Sequence, residues 1–270
     1  MTHSGISQNS RKVARNTLLL YFRMLLLIII GIFTSRVVLS SLGISDYGIY
    51  NAVYSMVMMF TVISNSVSNA ISRFLNFELG NNDSDRLHKV FSAAIVIQAA
   101  ISVLLVILVE TVGIWYLNNH LNLPEGRQGA AMVVLQMSAV LLIVQMFSTV
   151  FNAVIIAHED MKAFAYISLL EGALKLGIAY LLYVSPVDKL AVYAILMAIV
   201  SIIIRSAYAF FCHRHYEESN GKLVLDGNIL RQMLNFSGWN FAGSAIGVLN
   251  SQGVSLLQNS FFGVEINAAR

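Results

Sequence analysis

Glu171 and Lys175 stand four residues apart inside an apolar run, so on a helix their side chains share a face and can pair. Arg23 and Arg36 fall in an earlier apolar run and Arg205 in a later one. Asn65, Asn69, Ser72 and Arg73 recur on one helical face, and Gln145, Ser148, Thr149 and Asn152 repeat the pattern further along. A charge at the centre of a membrane helix costs about 2.5 to 3.5 kcal/mol, which makes every such residue a functional candidate by default. Each also has a plainer reading. Glu171 and Lys175 form either a mutually neutralising bridge that permits insertion or part of a substrate or ion pathway. The arginines either snorkel to an interface or, for Arg36 with Ser40 and Ser41 close by, face a wet vestibule. The amide stripes either hydrogen-bond between helices or line a hydrated cavity. Glu110, near one end of its run, is expected to be solvated.

Covalent chemistry finds little support. Asp83-Ser84-Asp85 resembles the metal-binding acidic motif of nucleotide-sugar glycosyltransferases, yet the connection over 76–89 has no room for a nucleotide-binding domain, and a solvated loop is expected there. His158-Glu159-Asp160 lacks a further histidine at metalloprotease spacing, and no phosphate-binding glycine loop is present. Cys212, the single cysteine, adjoins His213 and His215 without a second cysteine at zinc-ligand spacing. No catalytic centre, metal site or cofactor is therefore expected. The longest connection, 213–235, offers Glu217, Glu218 and Asp226 but no nucleophile or phosphate cradle, which disfavours a membrane enzyme of envelope glycan assembly.

The elements that must position these residues follow from composition. Hydrophobic residues make up 57% of the chain and charged ones 11%, where a soluble domain carries about 25% charged. Mean hydropathy is +0.71. The apolar residues gather in blocks of roughly the 20 residues needed to cross hydrocarbon, over 17–39, 47–72, 90–116, 130–157, 163–184, 190–212 and 236–262. Blocks of that length without strict alternation exclude a barrel. The reading is an all-α polytopic membrane protein of about seven transmembrane helices. The basic residues before the first run do not make it a cleaved signal peptide, because the run is too long and lacks a small-residue cleavage site.

Net charge of +3 could suggest nucleic acid in a soluble chain, but no basic cluster with interleaved aromatics is present, and no nucleic-acid partner is expected. Topology accounts for the charge. Arg11, Lys12, Arg15, Arg73, Arg86, Lys89, Lys162, Arg214, Lys222 and Arg231 all fall on the side of the N-terminus, against Arg127 and Lys189 on the other. The positive-inside rule then places the N-terminus, 1–16, in the cytoplasm and Trp115 and Tyr116 at the outer interface. A faint internal echo links Ser41-Leu42-Gly43-Ile44 after the first run to Phe261-Phe262-Gly263-Val264 in the last, as though a second repeat had begun.

Arg15-Asn16-Thr17, Ser35-Arg36-Val37-Val38-Leu39, Leu42-Gly43-Ile44-Ser45-Asp46-Tyr47-Gly48-Ile49-Tyr50, Ser72-Arg73-Phe74 and Phe262-Gly263-Val264 through Asn267-Ala268-Ala269-Arg270 carry a further signal. Together they resemble polysaccharide flippases, which carry O-antigen or other lipid-linked oligosaccharides, of the multidrug/oligosaccharidyl-lipid/polysaccharide exporter (MATE-like) superfamily. The resemblance implies a fold of about twelve to fourteen helices in two bundles around a cavity open alternately to each side. On that pattern 17–212 is the first six-helix bundle, 213–235 a cytoplasmic linker, and 236–270 the first helix of a second bundle, truncated here. It also implies a polyprenyl-pyrophosphate-linked oligosaccharide as substrate, moved across a bacterial inner membrane without covalent chemistry. Arg23, Arg36 and Arg73 would compensate pyrophosphate, because guanidinium matches phosphate oxygens in bidentate fashion. Asn65, Asn69, Gln145 and Asn152 would contact sugar. Glu171, paired with Lys175, would couple transport to sodium or protons. A multidrug exporter of the same superfamily is the alternative, but its cationic substrates would favour acidic groups, whereas these candidates lean positive.

Overall fold

A computed structural model describes residues 3–119, 124 and 126–243, with side chains from residue 14 onward except 58, 59 and 61–63. The described chain is almost wholly helical, as the long apolar blocks predict. Helix α1 spans His3–Met59, α2 Thr61–Asn81, α3 Ser84–Leu108, α4 Ile114–Asn119, α5 Gln128–Ala157, α6 Met161–Val184 and α7 Lys189–His215. A π-helical turn over Val109–Gly113 joins α3 to α4, so the two form one span. A further helix, α8, covers 227–243. Five helical stretches among the described residues are long and apolar enough to cross a membrane, the first of them, Ala14–Val57, at 44 residues. That length is about twice one crossing.

Gly43 resolves the excess. Its φ of 79° and ψ of 169° interrupt the helix at a single residue, and only glycine adopts such angles without strain. Before Gly43 the chain runs alongside α6 in the same direction, with Arg23 beside Ser168 and Ser40 beside Tyr183. After it the chain turns to run alongside α7, with Tyr50 packed edge-on to Tyr193 at 4.7 Å. The loop expected over 40–46 is thus a one-residue break in continuous helix. A second break falls at Phe60, inside the run read as one helix over 47–72.

Other boundaries also move outward. Helix α2 continues to Asn81, and the connection expected over 76–89 shrinks to Asn82 and Asp83. Asn82 takes the left-handed conformation and Asp83 accepts from the Arg86 N–H as the cap of α3. The acidic motif is therefore helix-capping chemistry. Asp160, Asp188 and Asp226 cap α6, α7 and α8 in the same way. The linker expected over 213–235 narrows to 216–226, and α8 starts at 227. Of the last predicted helix, 244–262 lies outside the described residues, as do the motifs from Phe261 to Arg270.

Helix α5 is central and touches α1, α2, α3, α6 and α7. Small residues let the backbones approach, as membrane helix packing requires. Ala93, Ala94, Ala131, Ala153, Ala179 and Ala194 are all buried. Gly172 on α6 meets Leu27 of α1 so closely that an added Cβ would lie 2.9 Å from its Cδ2. Outward, Leu18, Tyr21, Phe22, Leu25, Ile32 and Phe33 form an exposed apolar surface on α1 that hydrocarbon can cover.

The connections gather at two opposite ends. Gly43, Arg127 and the α6–α7 turn share one, held by Arg127, which donates to both Asp46 and Asp188. The α2–α3 turn, His158 and the segment after α7 share the other. Successive spans run between these ends in alternation, so the basic residues counted on one side, from Arg73 to Lys222, do gather there.

Candidate functional site

Helices α1 and α6 run side by side, and their polar residues fall between them at helical spacing. Ser168, Glu171 and Lys175 line up along α6 at i, i+3 and i+7, facing Arg23, Thr34 and Ser35 of α1. A cavity of about 490 Å³ opens there, reaching Tyr47, Tyr50 and Asn51 beyond the Gly43 break and Tyr193 of α7. A smaller one of about 170 Å³ adjoins it, lined by Gln145, Ser148 and Asn152 of α5 and Ser201 and Tyr208 of α7. Arg23, Ser168 and Glu171 line both.

Arg23 is half-buried at their junction. Its Nε donates to Ser168 Oγ, which in turn donates to the Ala165 carbonyl at 2.9 Å. Its guanidinium lies 4.3 Å over the Phe164 ring, a cation–π arrangement that orients the plane. Among the described residues it forms no ion pair with a carboxylate. Glu171 is instead held by Lys175, Nζ to Oε1 at 2.5 Å. The junction therefore carries two cations and one carboxylate, an excess of positive charge in a low-dielectric span, which favours an anion.

Two polar atoms at these walls are buried without a hydrogen-bond partner, Thr34 Oγ1 at the larger cavity and Asn152 Oδ1 at the smaller. Leaving a buried polar atom unmatched costs about 1–3 kcal/mol.

Of the nine residues given a substrate or ion-coupling role from the sequence, Arg23, Gln145, Asn152, Glu171 and Lys175 meet at this junction. The remaining four lie elsewhere. Arg36 is exposed on α1 and lines neither cavity. Asn65 and Asn69 are exposed on α2. Arg73 lies 4.4 Å over the ring of Phe236 on α8, and Asn240 donates to the Ser66 carbonyl, so part of that polar stretch meets α8. The α5 stripe divides. Gln145, Ser148 and Asn152 face the cavity, while Thr149 accepts from Gln98 of α3 at 2.8 Å. Glu110, expected to be solvated, accepts from Gln136 at 3.0 Å. Arg205 packs its guanidinium 3.9 Å over Phe151 with Nη1 buried and without a hydrogen-bond partner.

Sequence reasoning missed Ser168, Thr34, Asn51 and the tyrosines. Ser168 was recoverable, since it precedes Glu171 by three and continues the same face. Tyr50 and Tyr193 carried no signal, because a tyrosine in an apolar run reads as core.

Comparison with curated proteins and comparison with solved structures each return no match. A family model does match, described as polysaccharide biosynthesis protein, over residues 11–268. A helical, multi-pass membrane chain matched over nearly its whole length, this protein belongs to the polysaccharide biosynthesis protein family.

Proposed function

We propose that the protein acts in a flippase that moves a polyprenyl-pyrophosphate-linked oligosaccharide across the bacterial inner membrane by alternating access. The observation that carries this reading is Arg23, placed within the span, tethered by Ser168 and left without a carboxylate partner. A pyrophosphate can supply the missing counter-charge, and the terminal guanidinium nitrogens suit bidentate contact. The amides of Gln145 and Asn152 and the hydroxyls of Ser148 and Ser201 provide the donors and acceptors that sugar hydroxyls need. No covalent step is called for, so the protein is read as a transporter and not an enzyme.

Glu171 serves as the coupling carboxylate in this reading. Its bridge to Lys175 is broken and remade as protons or sodium exchange, which shifts the balance between two bundle arrangements. The basic end of the molecule faces the cytoplasm together with the N-terminus. Arg36, Arg73, Asn65 and Asn69, outside the junction, contact substrate only in another arrangement. The positive excess at Arg23 and Lys175 favours this substrate over the cationic drugs of a multidrug exporter.

Translocation of lipid-linked oligosaccharide in a strain without its own flippase tests the reading. Activity that falls at least about tenfold in Arg23→Ala and is partly restored in Arg23→Lys supports it. Activity independent of the charge at position 23, in protein inserted at normal levels, overturns it.

A further inference from the structure

At the end of the molecule opposite Gly43, the segment from Tyr216 to Asp226 leaves α7 and folds against the first turns of α3 before α8 begins. The ring of His88 is one of its anchors. His88 Nδ1 lies 2.8 Å from the carbonyl oxygen of Glu218, and its Nε2 lies 3.0 Å from that of Lys222. Gly221, between those carbonyls, has φ of 115°, and a Cβ there would sit 3.4 Å from His88 Cε1, so the chain bends closely around the ring. One turn along α3, Ser92 Oγ accepts from the Val224 N–H at 3.2 Å.

Carbonyl oxygens only accept. A neutral imidazole has one N–H and one bare lone pair, whereas the imidazolium has two N–H groups. Both contacts are hydrogen bonds only when the ring is protonated; in the neutral ring one nitrogen lone pair faces a carbonyl oxygen. A second histidine supports the same segment. His158, capping α5, places Nε2 2.5 Å from Glu218 Oε1 and stacks on Tyr216 at 4.1 Å.

We propose that His88 is a proton-dependent clamp, gripping the 216–226 segment when charged and loosening it when neutral. The groups around it bear on that assignment. On α3, Asp85 pairs with Lys89; on α2, Glu78 lies 3.6 Å from Arg86. The segment itself brings Glu217, Glu218 and Lys222, α5 brings His158, and α7 brings His215 and His213, whose Nδ1 lies 3.1 Å from Asn220 Oδ1. Burial, with Asp160, Cys212 and Glu218 adding to it, raises the Tyr216 hydroxyl above its ordinary range, so it stays protonated. Histidine is the side chain that ordinarily changes charge near neutral pH. The segment is thus held in mild acid and released as pH rises, and its release loosens the tether of α8. This inference is independent of the transport reading.

Hydrogen–deuterium exchange on the whole chain in lipid nanodiscs tests it, read at the Ser219, Asn220 and Val224 amides and corrected for the intrinsic pH dependence of exchange. Between about pH 5.5 and about pH 8.5 these amides should speed up by at least about tenfold, the equivalent of one hydrogen bond to a charged group, while α5 amides do not. The dependence should vanish in His88→Gln and persist in His158→Gln. Protection that is constant with pH in the wild-type chain, an undiminished dependence in His88→Gln, or its complete loss in His158→Gln would each overturn the assignment to His88.

Discussion

Arg127 Nη2 donates to Asp46 Oδ2 at 2.5 Å, joining the first turn after the Gly43 break to the start of α5. The same guanidinium reaches Asp188, the cap of α7, at 2.7 Å. One side chain therefore ties three spans at one end of the molecule. Asp46 is only 6% exposed, so removing Arg127 strands a buried carboxylate. Arg127→Ala is expected to cost about 2–3 kcal/mol, and Asp46→Asn less. The double variant should recover part of the loss, because the buried carboxylate at position 46 is then gone and only the more exposed Asp188 has lost its cation. Thermal unfolding in detergent measures all three; losses that simply add would show that the pair does not interact.

Gly43 carries the reversal between the first two spans. Gly43→Ala leaves open space around the new methyl group but places a Cβ on a residue with φ of 79°. The strain should destabilise the fold by about 1–3 kcal/mol, against an effect near zero for Gly48→Ala, where φ is ordinary and space is equally open. Unfolding midpoints of the two variants, compared side by side, check the difference.

Gly172 sets the spacing of α1 and α6 beside Arg23. Alanine there crowds the flexible end of Leu27 and meets Ile30 at ordinary contact distance, and should be tolerated, whereas Gly172→Leu must push the helices apart and lengthen the Arg23–Ser168 contact. Spin labels on the exposed residues Tyr21 and Tyr166 should report a separation increased by about 1–2 Å in the leucine variant alone.

Breaking the Glu171–Lys175 bridge on one side only leaves a single charge in the span. Lys175→Met and Glu171→Gln should each lower membrane-inserted protein or its stability by about 1–2 kcal/mol, partly compensated in the double variant, since both groups are about one-third exposed to the cavity. Folded protein recovered from membranes and its unfolding midpoint provide the readout. If coupling runs through Glu171, the double variant is stable yet fails to transport against a gradient.

Much of the architecture was legible before any coordinates. Apolar blocks of crossing length admit only helices in lipid, and the uneven placement of Lys and Arg sorted the connections into the two groups found at the two ends. The Glu171–Lys175 pair was also readable, because both partners lie on one helix, where spacing alone decides contact. The junction at Arg23 was only half legible. A charged residue in a span announces itself, but its partner Ser168 is 145 positions away, and no local pattern encodes which helix faces which. For the same reason Arg36 and Arg23, alike in the sequence, part company in the fold: rotation of α1 turns Arg23 to α6 and Arg36 outward.

What the sequence by itself determined, then, is that the chain is built from apolar helices long enough to cross a membrane, and which costly polar groups they carry, since those depend on hydrophobic length and residue type. Tertiary structure alone decided that Gly43 is a one-residue reversal, that the acidic motif at Asp83 caps a helix, and that both nitrogens of His88 meet carbonyls of a segment more than 125 residues further along the chain. Those outcomes rest on backbone angles and on contacts between helices distant in sequence, which composition and periodicity do not constrain.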